Sequence, residues 1–171
     1  MKSLSLQAIN ESSSYEVSVV YDGCYQFFTD HGVHCSVEFV LDDSLMSRET
    51  YHLVIVNVNH QKSPSDVKVR DTLIAIIDEF FVENNTTLLY ICETGDKKQA
   101  LRNRLFERWF SAYERRAQYT FVASSLKDED GIENYAAIIV RNDNPDLSAI
   151  VSEFTTTISL LSTKPESLWC L

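Results

Sequence analysis

The sequence predicts an α+β fold: a mostly antiparallel sheet built from hairpins, with about three helices packed on it. Two glycine turns separate alternating strand-like segments between Tyr15 and Phe39. Two stretches of helical apolar spacing bracket a short continuous apolar run, and a further hairpin leads into a last helical stripe. Hairpins mixed with helices, with no internal repeat or linker, give the α+β class.

The chain has 171 residues, of which 44% are hydrophobic and 23% charged. These values fit a folded globular chain and lie outside the disordered and membrane classes. The organisation read from the sequence is a disordered lead-in over 1–14, one α+β domain over 15–161 and a loose tail over 162–171. Cys24, Cys35, Cys92 and Cys170 show no C-x-x-C spacing and no disulfide-scaffold density, so reduced thiols are expected. With neither a signal-peptide pattern nor an apolar run of about 20 residues, the expected location is cytoplasmic, away from membranes.

Element by element, YEVSVVY enters Asp22-Gly23, a favoured type I′ pair, and leaves as CYQFFT. A second turn at Asp30-His31-Gly32, with Thr29 opposite Val33, puts Tyr25, Phe27, Thr29, Val33, Cys35, Val37 and Phe39 on one face. Gln26, Phe28, His34, Ser36 and Glu38 take the other, the wet face of an antiparallel sheet. YHLVIVNVN is a further strand by its β-branched content.

Ser63-Pro64-Ser65-Asp66 announces the first helix, with Ser63 as cap, Pro64 at the first helical position and Asp66 closing a capping box. Val69, Leu73, Ile76, Ile77, Phe80 and Phe81 form its stripe, and Asn84-Asn85 ends it. Thr87 to Cys92 reads as a central strand covered on both faces. The second helix starts at Asp96, with Gln99 in reach as a box partner, and is expected to turn Leu101, Leu105, Phe106, Trp109, Phe110 and Tyr113 inward. QYTFVASSL and NYAAIIVRN form a hairpin, and a helix opened by Asn144-Pro145 carries Leu147, Ile150, Val151, Phe154, Ile158 and Leu161.

Two segments carry a family resemblance: YQFFTDHGVHCSVEF (Tyr25 to Phe39) and, more specifically, ICETGDKKQALRNRLFERWF (Ile91 to Phe110). They and the Asn144-Pro145 helix start resemble a small uncharacterised bacterial family, domain of unknown function 6169, found mainly in Bacteroides-type bacteria. Cys35 stands where that family usually has Tyr. The resemblance implies a domain of this size and a bacterial host, and supplies no catalytic residue, substrate or cofactor.

Charge is the strongest functional signal. Between Asp96 and Arg116 stand Lys97, Lys98, Arg102, Arg104, Arg108, Arg115 and Arg116 against three acids, a local +4 in a chain of net charge −10. Lys97, Arg104, Arg108 and Arg115 share nearly one helical face. Such arginines pair with the chain's own carboxylates in weak solvated bridges, or they form an anion-binding face for an acidic partner. A protein partner fits better than nucleic acid, because an acidic surface repels a duplex and no aromatics interleave the arginines to stack bases. Trp109 beside Arg108 either extends the recognition edge or completes the apolar stripe.

Chemistry has no comparable candidate. Cys92 ends a strand just before a helix N-terminus, where a thiol can become reactive, but Glu93 and Asp96 oppose thiolate formation and favour a buried structural cysteine. His31, His34, His52 and His60 lack metal-ligand spacing, and no nucleophile elbow, phosphate loop or dinucleotide fingerprint occurs. Neither a catalytic residue nor a cofactor is expected. The leading expectation is a non-catalytic interaction module of inhibitor, immunity or adaptor type. The runner-up is a small hydrolase or transferase acting on a phosphorylated ligand near Cys92 and Arg102; nucleic-acid binding through the basic helix ranks third.

Overall fold

The computed structural model describes residues 1–62, 64–92, 99–127 and 131–163. Its class is α+β, with seven mostly antiparallel strands and four α-helices among the described residues. The chain divides into two units, Met1–Val40 with His52–Asn85, and Leu41–Tyr51 with the chain from Thr86 onward.

In the first unit α1 (Leu6–Ser12) precedes β1 (Val17–Tyr21), β2 (Cys24–Phe28), β3 (His34–Leu41), β4 (Thr50–Asn57) and α2 (Val67–Glu83), with the strands in the order β1-β2-β3-β4. The β2–β3 hairpin has the expected register: Phe28 pairs with His34, and Thr29 N–H donates to Val33 C=O over 3.0 Å. Gly32 takes φ 74°, and the Thr29 hydroxyl accepts from the N–H groups of His31 and Val33, which closes the turn. Tyr25, Phe27, Thr29, Val33, Cys35, Val37 and Phe39 are all buried, as the period-two pattern requires. Phe39 stacks on Phe80 of α2 at 4.6 Å between ring centroids, and Tyr15 stacks on Phe27 at 5.9 Å.

Three local expectations are corrected in this unit. The Asp22-Gly23 turn is not type I′: Gly23 has φ 87° but Asp22 is not among the residues with positive φ, and type I′ needs both. The cap of α2 is Asp66 itself, whose carboxylate accepts from Lys68 N–H over 2.9 Å and from the Tyr15 hydroxyl over 2.6 Å. Pro64 therefore lies ahead of the helix, and Ser63 lies outside the described residues. Finally, residues 1–14 are not a loose lead-in. Ser5 caps α1 by accepting from Ala8 N–H, Leu4 and Ile9 are buried, and Glu79 of α2 accepts from Ser5 N–H while Asn84 accepts from Lys2 N–H. Sequence periodicity could not reveal a seven-residue helix held by partners more than seventy positions away.

In the second unit β5 (Thr87–Cys92), α3 (Gln99–Ala112), β6 (Tyr119–Lys127), β7 (Glu133–Arg141) and α4 (Leu147–Thr163) follow in sequence, with strand order β5-β7-β6. β7 pairs antiparallel with both neighbours, and the nine-residue β6–β7 register runs from Tyr119↔Arg141 to Lys127↔Glu133 without a break. Leu88 and Leu89, adjacent in sequence and on opposite faces, are both buried, which makes β5 the doubly covered strand its composition predicts. On one face Leu89, Ile138 and Val140 pack with Ile150, Phe154 and Ile158 of α4, joined by Met46. The segment carrying Met46 is tied down where Glu153 accepts from Ser47 N–H and from Arg48 Nη1, the latter over 3.1 Å. On the other face α3 lays Phe106 on Tyr90 at 4.2 Å. α4 extends through Ser162 and Thr163; the rest of the expected tail lies outside the described residues.

Candidate functional site

The orientation of α3 decides which charged groups reach solvent. Its buried residues are Gln99, Asn103 and Phe106, with Phe110 continuing the row at helical spacing and stacking on Phe121 at 4.7 Å. The expected inward set is corrected accordingly. Leu101 is 64% exposed, Leu105, Trp109, Phe110 and Tyr113 are half-buried, and Phe106 alone of that set is buried. Polar side chains take part of the inner row, and their NH2 groups find partners: Gln99 Nε2 donates to Glu133 C=O and Asn103 Nδ2 to Glu107.

With that rotation, the helix presents Leu101, Arg104 and Arg108 outward at intervals of three and four residues, and all three are exposed. Arg115, just past the helix, is exposed too, with its guanidinium carbon 5.8 Å from the Tyr113 ring centroid. Lys97 lies outside the described residues, as does the Glu93 to Asp96 turn. The ion pairs among the described residues join Arg48 to Asp146 and Glu153, Lys68 to Asp30, Arg70 to Asp71, and Arg141 to Asp143. Neither Arg104 nor Arg108 takes part in one. Arg104 and Arg108 are therefore not spent on internal bridges among the described residues, and Leu101 gives them an apolar neighbour that charge counting alone does not find.

Arg102 belongs to a different cluster. It is half-buried and lies close enough to the Cys92 thiol at the end of β5 for its charge to act on that thiol. Cys92 is only 2% exposed, and burial raises its pKa despite the opposing influence of neighbouring Tyr90 and Arg102. Burial and the contact with Cys92 push Tyr90 upward as well. Both groups are held neutral at physiological pH, so this cluster is a packed polar contact rather than an activated nucleophile. Trp109 is half-buried and serves partly as packing.

The histidines do not converge. His31 sits in the β2–β3 turn, His34 stacks on Phe28 and places Nε2 2.9 Å from Gln26 Oε1, His52 lies on β4, and His60 occupies a loop with φ 54°. Among the described residues, no group of three His, Cys, Asp or Glu side chains is arranged to hold a metal ion.

A family model described as "Family of unknown function (DUF6169)" matches residues 65–156, more than half of the chain. The chain belongs to the DUF6169 family. The matched region takes in Ile91 to Phe110 and the Asn144-Pro145 helix start, while Tyr25 to Phe39 lies before it. No curated protein matches the chain. No helix among the described residues is long and apolar enough to cross a membrane.

Proposed function

We propose that this DUF6169 member is a non-catalytic, cytoplasmic bacterial interaction module, of inhibitor, immunity or adaptor type, that meets an acidic protein partner through the outer face of α3. The observation that carries the reading is the exposed trio Leu101, Arg104 and Arg108 on a helix of an otherwise acidic protein. Two guanidiniums one turn apart can each engage a carboxylate bidentately, and the adjacent leucine adds the apolar contact that excludes water from such pairs. The surrounding negative charge steers a basic-face contact toward one orientation and opposes approach of a nucleic-acid duplex.

The hydrolase or transferase alternative draws less support. It needs Cys92 and Arg102 to face a ligand, whereas Cys92 is buried with a raised pKa.

Capture of partners from native lysate by the wild type and by Arg104→Glu/Arg108→Glu, with circular dichroism to verify folding, tests the proposal. Loss of a specific partner from the double variant is expected. Equal recovery by both proteins rejects the α3 site.

A further inference from the structure

β6 closes the strand order of its unit, so among the described residues one side of it carries no partner strand. The phase of its ladder follows from one bond: Asn142 N–H donates to Gln118 C=O over 2.9 Å. With a period of two, Thr120, Val122, Ser124 and Leu126 direct their backbone groups to β7, and Phe121, Ala123 and Ser125 direct theirs away from it. No hydrogen bond among the described residues reaches those outward groups. Both faces of β6 are occupied, by Phe110 against Phe121 on one side and by the α4 cluster against Val122 and Leu126 on the other. Among the described residues, the edge alone is left open.

Edge strands are ordinarily blunted by bulges, charges, prolines or a covering group. β1, which opens the strand order of the first unit, shows two such devices. Asn10 closes Val17 from outside, its amide donating to the Val17 carbonyl and its oxygen accepting from the Val17 N–H, and the β1–β2 register breaks between Val19 and Tyr21. β6 has neither. Its register is unbroken over nine residues, and from Tyr119 to Leu126 it contains no charge and no proline.

We infer that the β6 edge is a self-association surface, where a second copy of this chain adds its own β6 antiparallel about a two-fold axis at Ala123. Ala123 is the midpoint of the strand, so this register overlaps its whole length and sets Phe121 opposite Ser125 of the second copy. The hydrogen-bonded pairs then come from the outward-bonding residues, and each of them can exchange two backbone hydrogen bonds. Small side chains at Ala123, Ser124 and Ser125 leave room at the axis. Charge order favours the same alignment: the sequence carries Arg115-Arg116 before the strand and Asp128-Glu129-Asp130 after it, so antiparallel copies match plus to minus. This inference does not depend on the α3 reading, since it uses none of the exposed arginines on that helix.

Sedimentation of the full chain over a concentration series tests it, alongside Ala123→Pro, which removes an outward N–H, and Ala123→Lys, which leaves every β6–β7 bond intact and sets like charges at the axis. The wild type is expected to shift from one-chain to two-chain mass, and both variants to stay at one-chain mass with unchanged circular dichroism. In a Cys170→Ser background, Ala123→Cys should form an intermolecular disulfide, because hydrogen-bonded antiparallel pairs place Cα atoms about 5.5 Å apart. Ser125→Cys should not, since its two copies lie roughly 13 Å apart or more along the strands. A wild type that remains monomeric throughout, including one whose edge takes a foreign strand instead, overturns the inference. So does a dimer that survives Ala123→Lys or cross-links equally at Ser125→Cys.

Discussion

Phe110 of α3 stacks on Phe121 of β6 with 4.7 Å between ring centroids and 23° between ring planes. This contact, continued by Phe106 on Tyr90, fixes the rotation of the helix and so decides that Arg104 and Arg108 face solvent while Arg102 faces Cys92. Phe110→Ala should destabilise the protein by about 2–3 kcal/mol, less than a fully buried phenylalanine because Phe110 is only half-buried. Urea denaturation followed by circular dichroism measures it. A change below about 0.5 kcal/mol would mean that the stack does not hold the helix in place.

Asn10 substitutes for a strand partner at Val17. Asn10→Ala leaves the Val17 N–H and C=O to water and should cost about 1 kcal/mol, the net value of partly exposed hydrogen bonds. Asn10→Asp should be intermediate, because it keeps the acceptor and loses the donor. Thermal melts of the three proteins under one buffer give the ranking.

Acid should weaken the second unit through Glu153. Accepting from the Ser47 N–H lowers its pKa, and Arg48 adds to the effect. A depressed carboxylate contributes stability that is fully present above its unfolded pKa, near 4.3, and is lost as pH falls through its lower folded value. Glu153→Gln should therefore lower stability at pH 7 and flatten the loss below about pH 4.5. Denaturant midpoints between neutral and acid pH, wild type against variant, provide the comparison; parallel curves would remove Glu153 from the account. Asp66, lowered first by its Tyr15 hydrogen bond, has the same sign in the other unit.

Cys92 should resist modification in the folded protein. Iodoacetamide labelling mapped by mass spectrometry is expected to reach it only after denaturation, in step with buried Cys24 and Cys35. Rapid native labelling of Cys92 would revive the enzyme reading.

Where local pattern decided the structure, the sequence was readable. The β2–β3 hairpin followed from strict alternation on either side of Gly32, and α4 kept its Ile150, Phe154 and Ile158 stripe through three threonines because period outweighs propensity. Tertiary partners explain the misses. Asp66 caps α2 while also accepting from Tyr15, fifty-one positions earlier, a preference that no local capping rule contains. Gln99 and Asn103 enter the inner row of α3, where their NH2 groups find partners, and Leu101 turns outward. Of the candidate site, the basic face at Arg104 and Arg108 was legible from helical spacing. Its leucine, and the separate placement of Arg102, depended on that rotation.

Partner recovery compared across three proteins tests the α3 face most directly: the wild type, Arg104→Glu/Arg108→Glu, and a charge-matched control, Lys2→Glu/Lys62→Glu, placed on exposed residues of the other unit. Loss of two anchoring arginines is expected to reduce recovery by about tenfold or more, while the control stays within about twofold of wild type. Equal loss in both double variants would reduce the effect to net charge, and no loss in either would contradict the assignment of α3 as the binding face.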